Sequence, residues 1–183
     1  TITMQFENLV LRKAQVEDAL QLVSWWNDGE VMAHAGFPNG VGVQVDEVVT
    51  LIKKDTDAEC CHFIMDVDAK PIGEMHYKKQ NDNCAEIGIK ICDFSFHNKG
   101  FGKKFLSLLI SDLFDKNVYN TLQVNVAKKN KIAQHVYEKL GFKEISSSKC
   151  GFSRKQIYFK IFDLKNIFLF SYLFVLSYQI STF

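Results

Sequence analysis

The chain reads His97-Asn98-Lys99-Gly100-Phe101-Gly102 immediately before a long amphipathic stretch. Two glycines one residue apart at the mouth of a helix make a seat for a phosphate. Glycine lets the backbone approach a ligand and adopt dihedrals that a Cβ would penalise. The first N–H groups of the helix, aligned with its dipole, favour an anion. Lys99, Lys103 and Lys104 add positive charge beside them. Further along, Asn130, Ala133 and Tyr137 stand at i, i+3 and i+7 and so share one helix face. A tyrosine, with an ordinary pKa of about 10, is protonated at neutral pH, as a general acid must be.

These residues need a frame. Residues 8–13 read as a first strand. A helix follows over 16–27, with Ala19, Leu20, Val23 and Trp26 at helical spacing. The stretch 29–43 is glycine-rich, with room for a helical turn at 30–34, and a helix fits 46–54. Three strands come next, at 61–67, 71–79 and 84–92, with a polar turn at 80–83. In the third, Ile87, Ile89 and Ile91 alternate with Glu86, Gly88 and Lys90. The glycine pair then opens a helix to about residue 116. A strand at 122–127, a helix over 130–140 stopped by Gly141, and strands at 142–147 and 156–162 complete the order. The pattern is a single mixed α/β domain: an antiparallel meander, then a strand–helix–strand crossover.

The bulk numbers exclude several classes. A length of 183 residues suits one domain, and 47% apolar residues supply a core. A net charge of +1 lacks the basic footprint of a nucleic-acid binder. Five cysteines, an odd number with no C-x-x-C, point to reduced thiols in a cytoplasmic protein and to no zinc site. The expectation is no metal, no nucleic acid and no membrane as partner.

The glycine pair and the later run Asn130, Ala133, Tyr137-Glu138-Lys139-Leu140-Gly141-Phe142 together resemble the GNAT superfamily of N-acetyltransferases. Trp26-Asn27-Asp28 and Ala85-Glu86-Ile87-Gly88-Ile89 look like the branch holding ribosomal-protein and aminoglycoside acetyltransferases. The resemblance covers roughly residues 8–145. It departs at His97, where the family has Arg or Gln. It implies an acyl-CoA N-acyltransferase-like α+β fold, with a mostly antiparallel central sheet flanked by helices, spanning residues 1–165.

It also implies a chemistry: transfer of an acetyl group from acetyl-CoA to a primary amine of a small molecule or protein, by direct attack in a ternary complex. Lys99, Gly100, Phe101, Gly102 and Lys103 would hold the pyrophosphate. Ile89, Lys90 and Ile91 would pair with the pantetheine arm as if it were a strand. Asn130 would hydrogen-bond the cofactor, and Ala133 would leave room for it. Tyr137 would protonate the leaving thiolate. Glu86 is the first candidate to take the proton of the amine, with Glu74 and His76 behind it. Trp25, His34, Phe37 and Glu74 are expected to line the acceptor pocket. The alternative is a non-catalytic coenzyme A-binding or regulatory module on the same fold.

One segment stands apart. Residues 166–183 form an apolar tail, too short to span a bilayer. The expectation is that it packs on the domain or in a homodimer contact.

Overall fold

The computed structural model describes residues 3–116, 119–150 and 154–162. The apolar tail therefore lies outside the described residues. Among the described residues eight strands form one sheet in the order β1-β2-β3-β4-β5-β6-β8-β7. They are β1 (Thr3–Phe6), β2 (Leu9–Lys13), β3 (Cys60–Val67), β4 (Lys70–Asn81), β5 (Cys84–Ile91), β6 (Thr121–Ala127), β7 (Lys143–Cys150) and β8 (Arg154–Phe162). Every pairing is antiparallel except β5 with β6. A parallel pair requires a crossover, and α4 (Phe101–Asp115) supplies it.

The helices divide between the two faces. Phe105, Leu109 and Leu113 of α4 pack on Phe63, Met75, Ile87 and Val124, together with Tyr137 of α5 (Lys131–Lys139). On the other face α1 (Ala19–Asn27), α2 (Gly29–Met32) and α3 (Val45–Lys54) pack Leu22, Trp25, Val31, Val48 and Ile52 against Ile64. Covered on both sides, β3 is an almost unbroken buried run, as a central strand should be.

Three readings of the sequence change. The short edge strand β1 precedes the first expected strand and turns back through Glu7, whose φ is +55°. In α1 the buried residues are Ala19, Leu22 and Trp25, whereas Leu20 is 69% exposed. The helix starts after a 3-10 turn at Val16–Asp18. Arg12 fixes that turn, donating from Nη1 to Asp18 at 2.7 Å and from Nε to Asp66 at 2.7 Å. This anchor ties the start of α1 to β2 and β3. The last two strands extend into the stretch left between them, 148–155, since β7 runs to Cys150 and β8 starts at Arg154.

Candidate active site

Strands β5 and β6 pair over only four positions, from Cys84↔Thr121 to Ile87↔Val124. Beyond them the two strands part. The gap opens into a cleft of about 460 Å³, walled by Ile89, Lys90 and Ile91 on one side and by Asn125, Val126 and Ala127 on the other. Main-chain groups of this stretch of β5 no longer meet a partner strand on that side, so an extended ligand can add itself to the edge.

The same cleft runs to the start of α4, where Asn98, Gly100, Phe101, Gly102 and Lys103 line it. Gly100 takes φ +81° and is the N-cap, and no side chain caps the helix there. The first intrahelical bond shown is Lys104 N–H to the Gly100 carbonyl, at 3.3 Å. The amides ahead of it are the orphan donors that every helix N-terminus carries. A Cβ on Gly100 would meet nothing within 4 Å, so the positive φ is what calls for glycine here. Gly102 differs from the expectation. Its dihedrals are helical, and a Cβ would touch only Ile91 Cδ1, at an ordinary 3.7 Å. Neither strain nor packing requires glycine at 102; what its missing side chain leaves is room on the cleft wall. An uncapped helix start, a cradle a Cβ would narrow and an unpaired strand edge together suit a long, phosphate-bearing ligand.

α5 closes the far side. Asn130, Ala133 and Tyr137 all line the cleft, as their shared helix face implied. Asn130 has a second duty: its Oδ1 accepts the Ala133 N–H at 3.1 Å and caps the helix. Tyr137 is buried, 6% exposed, with its ring 5.8 Å from that of Phe142. Burial pushes its hydroxyl up to about 12.

Not every candidate reaches the cleft. Lys99 is exposed and outside the lining. His97 does line the cleft, but its Nε2 is 2.9 Å from the Ile91 carbonyl and its ring edge-on to Phe94 at 4.9 Å. It ties the end of β5 to the glycine loop. Glu86 sits on the closed part of the ladder, outside the lining, and accepts from Gln123 Nε2 at 3.3 Å. Trp25 is core, 8% exposed, and so unavailable to an acceptor. Phe37 is 46% exposed, on the loop after α2, away from the cleft. His34 does line the cleft, with Val31 and Ala35 of the α2 segment.

The sheet face toward α1 carries a polar group that the sequence disclosed only in part. Glu74 is 5% exposed and holds Trp26 Nε1 at 3.2 Å and Lys90 Nζ at 3.1 Å, both on Oε1. Burial alone would raise its pKa, but His76 and Lys90 outweigh that and hold it at about 2. Behind it on β3, His62 Nδ1 lies 2.8 Å from Asp55. Asp55, Cys60 and His62 bring their donor atoms within 4.8 Å of one another, the one such cluster among the described residues. Asp55 gives both oxygens to His62, through its backbone N–H at 2.7 Å and its ring, so the group is a hydrogen-bonded pair. Alternation along β4 was the signal for Glu74 and His76; nothing local in the sequence pointed to Asp55 with His62.

The Acetyltransferase (GNAT) domain matches residues 8–143. The chain belongs to the GNAT acetyltransferase family. It is thus an acetyl-CoA-dependent acetyltransferase, and the cleft is where such an enzyme would take its acetyl donor. A search of curated proteins gave no match. Among solved structures, a ribosomal L7/L12 α-N-protein acetyltransferase, RimL, in complex with coenzyme A has a TM-score of 0.77 at 12% identity, over 88% of this chain and 98% of that one. Spermidine N-acetyltransferase from Vibrio cholerae, in complex with CoA and spermine, has a TM-score of 0.74 at 22% identity, over 86% and 96%. An aminoglycoside acetyltransferase, AAC(6')-Ib, in complex with coenzyme A has a TM-score of 0.69 at 18% identity, over 84% and 94%. At these identities the likeness establishes the GNAT fold. Among the described residues no helix is long and apolar enough to cross a membrane.

Proposed function

We propose that this GNAT protein transfers the acetyl group of acetyl-CoA to a primary amine, of a small molecule or a protein, by direct attack in a ternary complex. The observation that carries the reading is one cleft that joins the parted strands, the uncapped start of α4 and Tyr137. The amides of Phe101, Gly102 and Lys103 would hold the pyrophosphate, with Lys103 adding charge. Ile89, Lys90 and Ile91 would align the pantetheine arm along β5, and Asn130 and Ala133 would flank it.

Tyr137 serves as the proton donor to the departing sulfur. A hydroxyl pushed up to about 12 is a poor acid toward a thiol in water, whose pKa is near 8.5. Buried thiols in this same protein behave differently: burial pushes Cys61 and Cys92 up to about 12 as well. A thiolate leaving into the cleft is desolvated in the same direction, which narrows the gap between donor and acceptor.

The acceptor classes named for the structural relatives, a ribosomal protein, a polyamine and an aminoglycoside, set the panel for the test. Thiol release from acetyl-CoA is measured with spermidine, a peptide bearing an α-amino group, and an aminoglycoside. Turnover of one of them supports the proposal. Coenzyme A binding without turnover of any amine would instead favour the non-catalytic module. With a working acceptor, Tyr137→Phe should lower kcat by about 10²- to 10³-fold, within the usual range for a general acid, while coenzyme A affinity stays the same.

A further inference from the structure

Glu74 Oε2 is buried and has no hydrogen-bond partner. Its sister oxygen is held by Trp26 and Lys90, which fixes the carboxylate in place. A buried carboxylate oxygen left unsatisfied is costly and calls for an explanation. His76 Nδ1 lies 3.9 Å from it, beyond a hydrogen bond but within ion-pair range.

The ring of His76 lies directly over Gly88, its partner across the β4–β5 ladder. A Cβ on Gly88 would fall 2.1 Å from His76 Cε1 and 2.7 Å from Nε2. Glycine is therefore what admits the ring. On the other side His62 of β3, itself held by Asp55, packs its ring 5.6 Å from that of His76. His76 is confined between two strands, yet its side chain is 37% exposed. Gly88 is also the first residue after the last β5–β6 pair, Ile87↔Val124. The imidazole thus stands beside the rung where β5–β6 pairing ends, outside the residues that line the cleft, on the opposite sheet face from α4 and α5.

We infer that Glu74 and His76 form a carboxylate–histidine dyad in which His76 Nε2 takes the proton of the acceptor ammonium, with Glu74 Oε2 orienting the ring through Nδ1–H. This deepens the acetyltransferase reading and rests on it. One N–H proton of the ammonium passes to Nε2, leaving a lone pair on nitrogen. That pair forms the C–N bond to the acetyl carbon, and the C–S bond breaks. The sulfur takes the Tyr137 proton, and a second amine proton restores the phenol. The proton on His76 leaves through its exposed edge to solvent. When His76 becomes imidazolium, its Nδ1–H satisfies the orphan oxygen, so the pair tightens when charge appears. Glu74 is a positioning residue; His76 is the catalytic one.

The titratable neighbours of His76 are Glu74 and Lys78 along its own strand, His62 with Asp55 on the β3 side, and Lys90 and Glu86 on β5; α1 brings the neutral Trp26. The test has an arm that needs no acceptor. Imidazole ¹⁵N NMR of the whole protein, with His76→Gln used for assignment among five histidines, should show the Nδ1–H tautomer for neutral His76. Glu74→Gln should weaken that tautomer preference, the effect of exchanging a carboxylate acceptor for an amide. An Nε2–H tautomer, or a preference unmoved by Glu74→Gln, overturns the dyad. The kinetic arm uses whichever of spermidine, the peptide or the aminoglycoside is acetylated. His76→Gln should lower kcat by about 10²-fold or more, abolish the acidic limb of the pH–rate profile and leave coenzyme A affinity intact. If the limb survives His76→Gln and disappears in Glu86→Gln, the proton goes to Glu86 and the proposal fails. Absence of turnover with every amine would count against the acetyltransferase reading, while the tautomer and its response to Glu74→Gln still decide the dyad.

Discussion

Gly100 and Gly102 look alike in the sequence, yet replacing each by alanine should move stability in opposite directions. At Gly100 the backbone is left-handed, φ +81°, and an added Cβ would meet nothing within 4 Å. The whole cost of Gly100→Ala is therefore conformational, about 1–2 kcal/mol for a left-handed non-glycine residue. At Gly102 the backbone is already helical and the Cβ would make one ordinary contact, with Ile91 Cδ1 at 3.7 Å. Alanine there gains helix propensity, up to about 1 kcal/mol. For a chain of this size each kcal/mol shifts Tm by about 2–4 °C. Gly100→Ala should thus lower Tm by about 2–8 °C, and Gly102→Ala should leave it unchanged or raise it by up to about 4 °C.

Coenzyme A affinity should follow a different order. The Gly102 methyl would occupy the cleft wall where the pyrophosphate must approach the amides. Losing one charge-assisted hydrogen bond there is worth about 1.5–3 kcal/mol, a weakening of roughly 10- to 100-fold. Gly100→Ala puts its methyl in open space, so its binding loss should be the smaller. Differential scanning calorimetry and isothermal titration with coenzyme A read the two quantities separately. A Gly102→Ala protein that binds coenzyme A as tightly as the parent would refute the idea that this glycine is kept for the ligand.

Other outcomes follow from the buried groups. Glu74 is held at about 2 against an ordinary 4.5, so the stability it contributes is present above pH 4.5 and is lost as pH falls toward 2. Glu74→Gln should flatten that part of an acid-denaturation curve. Cys61, Cys92 and Tyr137 are raised to about 12 from 9, 9 and 10, so the native state keeps protons that the unfolded chain gives up. Denaturant titrations should show stability falling progressively from pH 9 to 12, and less steeply in Cys92→Ala. In α1, Leu22→Ala should cost about 2–5 kcal/mol as a core truncation, whereas Leu20→Ala, at a site 69% exposed, should stay within about 0.5 kcal/mol; urea denaturation distinguishes them.

What the sequence disclosed depended on how local the physics is. The glycine pair, the helix from Asn130 to Tyr137 and the three-strand meander are set by near neighbours and by period, and each fell where expected to within a residue or two. Periodicity within α1 does not show which of its residues meets β3, and Trp25 packs into the core there. The His97 imidazole meets the carbonyl of Ile91, six residues back, a contact that no local pattern announces. Glu86 and His76 lie on one sheet face two rungs apart, and strand alternation treats them alike. Only the register with β6, which ends at Ile87, separates the closed rung from the open one. Asp55 and His62 belong to different elements, so no pattern in the chain announces their pairing.

The four-pair ladder between β5 and β6 gives the sheet a seam. Six antiparallel pairings lie to one side or the other of it, while the seam itself has few bonds and ends in a wedge. In the proposed reading a ligand arm along residues 89–91 would act as mortar in that wedge. The donor substrate would then be, while bound, one more strand of the sheet, and its departure would return the sheet to two leaves joined by four rungs. Turnover would in that reading also be a cycle of sheet completion and release.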